Sequence, residues 1–277
     1  MPELPEVETV RRGLEPVLLG HRIVAVDQRR PDLRIPFPVG FAGLVEGCRV
    51  EQLRRKAKYL LFDLDDGLVL ICHLGMSGRM VVQNWGSNQP PEAHDHVVFT
   101  TDDGARIIYN DHRRFGLMTL TRREEEAEHP LLAAIAADPL DPLFGPEHLS
   151  AQLACKATPI KAALLDQKVV GGVGNIYACE ALSRAGISPR RLAKSVAGKR
   201  CERLAPAIVD VLNEAIAAGG SSLRDHRQAS GELGYFQHNF RVYDREGVPC
   251  PTPGCPGTVR RIVQSNRSTF FCGRCQR

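Results

Sequence analysis

What this sequence lacks narrows its class before any motif is considered. No stretch approaches the roughly 20 consecutive apolar residues that span a bilayer, and the N-terminus has none of the basic-then-apolar layout of a signal peptide. A membrane-spanning protein is excluded on this reading, and the cytoplasm is the expected address. Internal repeats and low-complexity tracts are absent, so neither a repeat array nor a biased linker explains the chain. There is no large surplus of either charge: a net +4 is weak support for nucleic-acid binding as a bulk property. What remains is an ordinary globular composition, 43% hydrophobic and 25% charged, over 277 residues. That length suits two domains, each able to bury a core.

The charge is unevenly distributed. Residues 186–204 carry Arg190, Arg191, Lys194, Lys199, Arg200 and Arg203 against Glu202 alone, and residues 237–277 carry seven arginines against Asp244 and Glu246. Residues 121–150 are the reverse, with seven acids against two arginines. A basic C-terminal half fits a phosphate-binding surface, although a solvated charged face has the same composition.

Residues 5–14 predict a short helix, with Pro5 at its start and Gly13 near its end. The segments 59–63 and 68–73 flank Leu64-Asp-Asp-Gly67, and 97–101 and 106–109 flank Asp102-Asp-Gly104; both read as hairpins of an antiparallel two-layer domain ending near Arg123. Residues 124–145 read as a linker. The pattern then changes to helices, expected at 146–153, 158–166, 175–185 and 198–218. Between the second and third, Val169-Val-Gly-Gly-Val-Gly174 forms a turn opening a helix at Asn175, a place where exposed N–H groups suit a phosphate. It is a poor dinucleotide loop, lacking a preceding strand and a downstream ribose-binding acid. Residues 221–237 are rich in Ser, Gly and charge, and read as a mobile loop.

Nine cysteines divide into two groups. Cys48, Cys72, Cys155, Cys179 and Cys201 are scattered, mostly among apolar neighbours, and read as free thiols. Cys250, Cys255, Cys272 and Cys275 follow Cys-x4-Cys-x16-Cys-x2-Cys spacing, which in a cytosolic protein points to tetrahedral zinc. Four thiolates close such a site, so the expected single zinc ion is structural. At the other end, Pro2 permits removal of Met1, which would expose a secondary amine able to attack a sugar carbon and form an iminium. Lys58 precedes an apolar strand, where an inward-facing ammonium needs a partner. His94-Asp-His96 resembles a metal pair, but residues two apart in a strand also simply share a face.

The opening run Met1-Pro-Glu-Leu-Pro-Glu-Val-Glu-Thr-Val-Arg-Arg-Gly-Leu-Glu-Pro16 resembles that of formamidopyrimidine-DNA glycosylases. The resemblance continues through Lys58-Tyr-Leu-Leu, His73-Leu-Gly-Met-Ser-Gly78, Asp111-His-Arg-Arg-Phe-Gly116, Gly172-Val-Gly-Asn-Ile-Tyr-Ala178 and Asn266-Arg-Ser-Thr-Phe270, in the family's order. It implies an α+β architecture: an N-terminal antiparallel β-sandwich with an N-terminal helix (1–123), then, after the linker, a helical helix–two-turn–helix domain (146–240) and a C-terminal zinc-ribbon β-hairpin (241–277). Double-stranded DNA would lie in the cleft between, bound by a monomer.

The same resemblance assigns roles. Pro2 is the nucleophile and Glu3 moves protons; Lys58 contacts phosphate beside them; Arg267 binds a lesion-flanking phosphate and aids the second elimination. Met76 and Phe115 fill the hole left by a flipped nucleotide, and Arg113 faces the orphaned base. His94, Lys156 and Asn175 contact DNA. Glu6 and Glu8 are read as ordinary first-turn helix acids. The implied activity is removal of oxidised purines such as 8-oxoguanine and formamidopyrimidines, followed by strand cleavage through β,δ-elimination. The chain departs from the family pattern at His112, where proline is usual, and in its longer first zinc knuckle. Endonuclease VIII-like glycosylases are the nearest alternative, disfavoured by Leu4-Pro5-Glu6 and the 219–237 loop. A non-catalytic zinc protein on the same scaffold would need none of Pro2, Glu3 and Lys58.

Overall fold

Val7, Val10, Leu14 and Leu18 recur at helical spacing, and helix α1 (Leu4–Leu18) buries all four. The helix runs one residue earlier and four later than the pattern of 5–14 predicts. It lies against β2 (Val50–Lys56) and β3 (Tyr59–Leu64), in a computed structural model that describes residues 1–83, 90–221, 229 and 233–277. The other elements of this part are β1 (Ile23–Gln28), α2 (Phe41–Val45), β4 (Leu68–His73), β5 (Arg79–Gln83), β6 (Asp95–Thr101), β7 (Arg106–Asn110) and β8 (Leu117–Arg122). They form two four-stranded antiparallel sheets, ordered β1-β6-β7-β5 and β2-β3-β4-β8.

Both expected hairpins are present, as β3–β4 and β6–β7. Val97, Phe99, Ile107 and Tyr109 of one sheet and Leu60, Phe62, Leu70 and Cys72 of the other share a single core with the apolar face of α1. This is the expected sandwich. Strands β3 and β4 are buried almost throughout and do not alternate. Their second face, with Leu61 and Ile71, is also covered, and the 3-10 turn Arg123–Glu128 contacts β4 and β8. Arg54 fixes that turn, reaching buried Asp63 at 2.7 Å through Nε and Glu126 at 2.6 Å through Nη2.

Helices α3 (Pro146–Leu153), α4 (Ile160–Leu165), α5 (Asn175–Arg184) and α6 (Cys201–Ala217) occupy the four expected places. The α4–α5 connection is templated by one amide. Gln167 donates from Nε2 to the Leu165 and Val173 carbonyls, at 3.2 and 3.0 Å, and accepts the Gly172 N–H at 2.8 Å. Gly172 takes φ +83°, outside the range of other residues. The chain ends in a hairpin of β9 (Val259–Gln264) and β10 (Arg267–Cys272). Its two-residue turn, Ser265-Asn266, has φ of 49° and 58°, the left-handed pair that a tight hairpin requires.

By contact, the chain divides into Met1–Ala133 with Ala218–Tyr235, and Ala134–Ala217 with Phe236–Arg277. The first division falls inside the expected 124–145 linker. The stretch Ala218–Tyr235, expected within the helical domain, makes its contacts with the first unit: the Ser221 N–H bonds Glu6, and the Val82 N–H bonds the Ala229 carbonyl at 3.0 Å. Most of the loop expected at 221–237, namely 222–228 and 230–232, lies outside the described residues.

Leu60 is fully buried in the shared core and Val24 is 50% exposed. Leu60→Ala should therefore destabilise the first unit by about 2–5 kcal/mol, and Val24→Ala by no more than about 0.5 kcal/mol. Calorimetric unfolding of both variants checks this; similar losses would place Leu60 outside the core.

Candidate active site and nucleic-acid interface

Pro2 and Glu3 are buried ahead of α1, Glu3 being 3% exposed. Their position is set by Glu6, read from sequence as an ordinary helix acid. Glu6 is instead 2% exposed. Its Oε2 accepts the Glu3 N–H at 2.8 Å, and its Oε1 accepts the Ser221 N–H at 2.8 Å. Glu8 is likewise not a solvated acid. Burial alone would raise its pKa, but hydrogen bonds from Arg11 and Arg12, with the charge of Arg55, hold it low.

Lys58 lies in the two-residue turn joining β2 to β3, after Ala57 at φ 53°. It is 6% exposed, whereas Lys56 is only half-buried. Across the β3–β4 pair, His73 faces Tyr59 with ring centroids 4.8 Å apart. Its Nδ1 accepts the Gly75 N–H at 2.9 Å, which leaves the ring proton on Nε2. Burial, then the charges of Lys58 and Arg34, push its pKa down to about 4.

Two loops adjoin this strand end. Met76 is 39% exposed and Phe115 is 45% exposed. Neither is a core residue. The Arg113 guanidinium sits over the Phe115 ring, 4.8 Å from its centroid, an arrangement worth about 0.5–1 kcal/mol at an exposed site. The loops touch at Gly75, where a Cβ would overlap the Gly116 nitrogen. His94 is exposed, its ring edge-on to those of His96 and His112 at 6.4 and 6.2 Å. His96 is buried and bonds the Asp111 carbonyl through Nε2 at 2.8 Å.

In the second unit, exposed Arg267 begins β10 at the hairpin tip. The carbonyl of the next residue, Ser268, accepts from Asn175 Nδ2 and from Lys161 Nζ, each at 3.0 Å. Lys161 also donates to the Thr269 hydroxyl at 2.7 Å. Asn175 is thus brought beside the tip of the hairpin, and its Nδ2 reaches the Tyr243 hydroxyl at 3.4 Å. Glu180, fully buried on α5, accepts the N–H groups of Arg241, Val242 and Tyr243 at 2.9, 3.0 and 2.8 Å. Lys156 is half-buried and pairs with Asp166 at 3.8 Å.

Cys250, Cys255, Cys272 and Cys275 converge, with all four sulfurs within 4.8 Å of one another. Two sulfur–sulfur separations are 3.5 and 3.7 Å. Zn–S bonds of about 2.3 Å give a tetrahedron with edges of about 3.8 Å, so the residues fit that ion. Cys255, in the lengthened knuckle, takes part. A second cluster among the described residues, His21, Asp102 and Asp103, is already committed to its own turn: Asp103 Oδ1 accepts from the Thr101 hydroxyl at 2.5 Å and the Ala105 N–H at 3.2 Å.

Two family models match. Residues 1–118 match the formamidopyrimidine-DNA glycosylase N-terminal domain, and residues 135–227 its H2TH domain. The chain belongs to the formamidopyrimidine-DNA glycosylase family. That membership places it among the DNA glycosylases of DNA repair. It is 59% identical to the formamidopyrimidine-DNA glycosylase of Beijerinckia indica and 58% identical to that of Methylocella silvestris, over 100% of each chain. Among solved structures, it is similar to the MutM (Fpg) protein of Thermus thermophilus, at 40% identity and TM-score 0.87, covering 99% of this chain and 98% of that one. It is also similar to Lactococcus lactis Fpg in complex with DNA containing an abasic site, at 32% identity and TM-score 0.89, covering 99% of each chain. Among the described residues, no helix is long and apolar enough to cross a membrane.

Sequence reasoning passed over Lys161, Glu180 and Asp111, all fully or almost fully buried charged groups. A visible signal existed for Lys161, which stands among Ile160, Ala163 and Leu164 on a helix buried on that face. A Lys there needs acceptors.

His73 titrates near 6.5 when unfolded and near 4 when folded. Above pH 6.5 neither state holds the proton. Below it only the unfolded chain does, so stability is lost progressively as pH falls from 6.5 towards 4. Urea unfolding across that range should show the loss, and His73→Gln should flatten its slope. An unchanged slope would remove His73 as the cause.

Proposed function

We propose that this glycosylase excises oxidised purines, 8-oxoguanine and formamidopyrimidines, and cleaves the strand by β,δ-elimination. The carrying observation is the fixed N-terminus: Pro2 precedes a Glu3 whose backbone N–H is held by the buried Glu6 carboxylate. Hydrolytic removal of Met1 frees the Pro2 nitrogen. That amine attacks C1′ of the damaged nucleotide, the C1′–base bond breaks, and the base leaves with a proton that Glu3 helps to deliver. The sugar ring then opens: the C1′–O4′ bond breaks, O4′ takes a proton, and the Pro2 nitrogen lone pair completes the C1′=N bond of an iminium cation. Its charge acidifies the C2′ proton; loss of that proton expels the 3′ phosphate, and a second elimination expels the 5′ phosphate. Water then releases the sugar fragment and restores the amine.

Lys58 supplies a phosphate contact and proton transfer beside the nucleophile. Two structures of Lactococcus lactis Fpg, one with abasic-site DNA and one with N7-benzyl-Fapy-dG DNA, support lesion-containing DNA as the partner. Met76 and Phe115 are apolar, exposed and loop-borne, as hole-filling side chains must be. Arg113 would face the orphaned base, while His94, Lys156, Asn175 and Arg267 would contact the backbone. Zinc held by Cys250, Cys255, Cys272 and Cys275 would contribute folding free energy to the hairpin carrying Arg267.

Borohydride should trap a covalent adduct between the Pro2 nitrogen and duplex DNA containing 8-oxoguanine, with Pro2→Gly sharply slower. Peptide mapping of the adduct to Lys58 would overturn the assigned nucleophile. Faster processing of thymine glycol than of 8-oxoguanine would overturn the substrate class. Neutralising Lys156 should reduce the log–log salt slope of DNA affinity by roughly 0.9. Chelation or Cys272→Ser should release one zinc and lower DNA affinity, leaving the first unit's calorimetric transition in place. Full activity after complete metal removal would sink the structural role.

A further inference from the structure

Asp111 opens the Asp111-His-Arg-Arg-Phe-Gly116 motif, yet its side chain has no part in the chemistry above. It is 0% exposed. One of its three side-chain donors is remote, and the other two flank it in the chain. The Ser77 hydroxyl, from the Met76 loop, donates to Oδ1 at 2.5 Å. The Gly116 N–H, from the end of the Arg113–Phe115 loop, donates to Oδ2 at 2.9 Å, and the Tyr109 hydroxyl of β7 donates to the same oxygen at 3.2 Å. Ser77 completes the circuit by accepting the Arg113 N–H at 3.2 Å. The Asp111 backbone is fixed as well, through His94, His96 and Arg114.

We propose that Asp111 is a positioning residue that locks the Met76 loop to the Arg113–Phe115 loop, so that Met76, Arg113 and Phe115 enter the duplex as one rigid block. The inference rests on the glycosylase reading. A buried carboxylate requires donors wherever it sits, but local donors would satisfy it equally well. Here the two oxygens are divided between the loops, and close backbone approach reinforces the joint. A Cβ at Gly75 would overlap backbone atoms of Phe115 and Gly116, and one at Gly116 would overlap the Tyr109 hydroxyl. Three side chains on independently moving loops would each lose conformational freedom on insertion; a pre-joined block has lost it in advance. Phe115 and Met76 thus gain a fixed spacing from a residue that touches neither base nor phosphate.

The test is a double-mutant cycle on the full-length, zinc-loaded enzyme. Asp111→Asn keeps the shape but cannot accept from all three donors. It should slow single-turnover excision of 8-oxoguanine from duplex DNA at least tenfold. Cleavage of a single-stranded abasic oligonucleotide, which has no stack to hold open, should change less than twofold. Combined with Phe115→Ala, it should cost little beyond the worse single variant. Losses that multiply, or an equal fall on the single strand, would overturn the proposal.

Should Asp111→Asn fail to fold, Ser77→Ala removes one arm of the joint. Amide exchange at Gly116 should then quicken, although Ser77 does not bond that group. Unchanged protection at Gly116 would also overturn the coupling. Absence of excision by the unaltered enzyme would defeat the glycosylase reading, and the exchange measurement would still decide the coupling.

Discussion

A carboxylate taken out of water must recover its lost hydration from N–H and O–H donors, and this protein arranges its functional loops around that requirement. Glu6 takes the backbone N–H of Glu3 and of Ser221. Asp111 takes Ser77, Tyr109 and Gly116. Glu180 takes three successive N–H groups at 241–243. Each acid is 2% exposed or less. A hydrogen bond to a charged acceptor contributes about 1.5–3 kcal/mol, roughly twice a neutral one. Leaving one of those N–H groups buried and unmet costs about 1–3 kcal/mol. Irregular segments that make few ladder bonds are thereby tied to the rest of the fold.

The device also explains which residues are free to act. Met76 and Phe115 project partly into solvent from turns too short to be rigid alone, and an exposed aromatic gains little from its own surroundings. Its placement comes from the backbone beneath it. Likewise Arg267 is exposed at a two-residue turn, while Lys161 and Asn175 hold the carbonyl one residue on. The four-cysteine cluster at the far end of the hairpin and these donors near its tip constrain both ends of a short two-stranded element, which would be marginal by itself.

Much of this architecture was legible in the sequence because it rests on short-range patterns. The β3–β4 and β6–β7 hairpins follow from apolar runs around Asp-Asp-Gly turns, and α3 through α6 follow from helical spacing bounded by Gly and Pro. The cysteine spacing picked out the converging set even with its longer first knuckle. The buried acids were not legible, since their partners are remote: Ser221 lies 215 residues from Glu6, Ser77 lies 34 from Asp111, and Val242 lies 62 from Glu180. Glu6 in a first helical turn looks like any dipole-stabilising acid until the fold removes its water. The same distance effect placed Ala218–Tyr235 with the first unit. Its sequence neighbours are helical, but its hydrogen bonds go to Glu6 and Val82.

One tension follows from the cation–π contact between Arg113 and Phe115. In the free protein each side chain satisfies the other at 4.8 Å. On the proposed roles, turning the Arg113 guanidinium towards the orphaned base lifts that side chain off the Phe115 ring, while the joined loop backbones stay fixed, and costs about 0.5–1 kcal/mol. Base stacking on Phe115 and hydrogen bonds to the orphaned base must exceed that sum before the flipped state gains. The loss is the same in every duplex, damaged or not, so it raises the threshold for opening without choosing among bases. Selection must then come from the flipped nucleotide itself. Unstacking costs less at a damaged base, and Ser221, bonded to Glu6, belongs to the same unit as the proposed nucleophile, Pro2. On the proposed roles the wedge would set how often a nucleotide is presented, and the N-terminal chemistry would set whether it is cut.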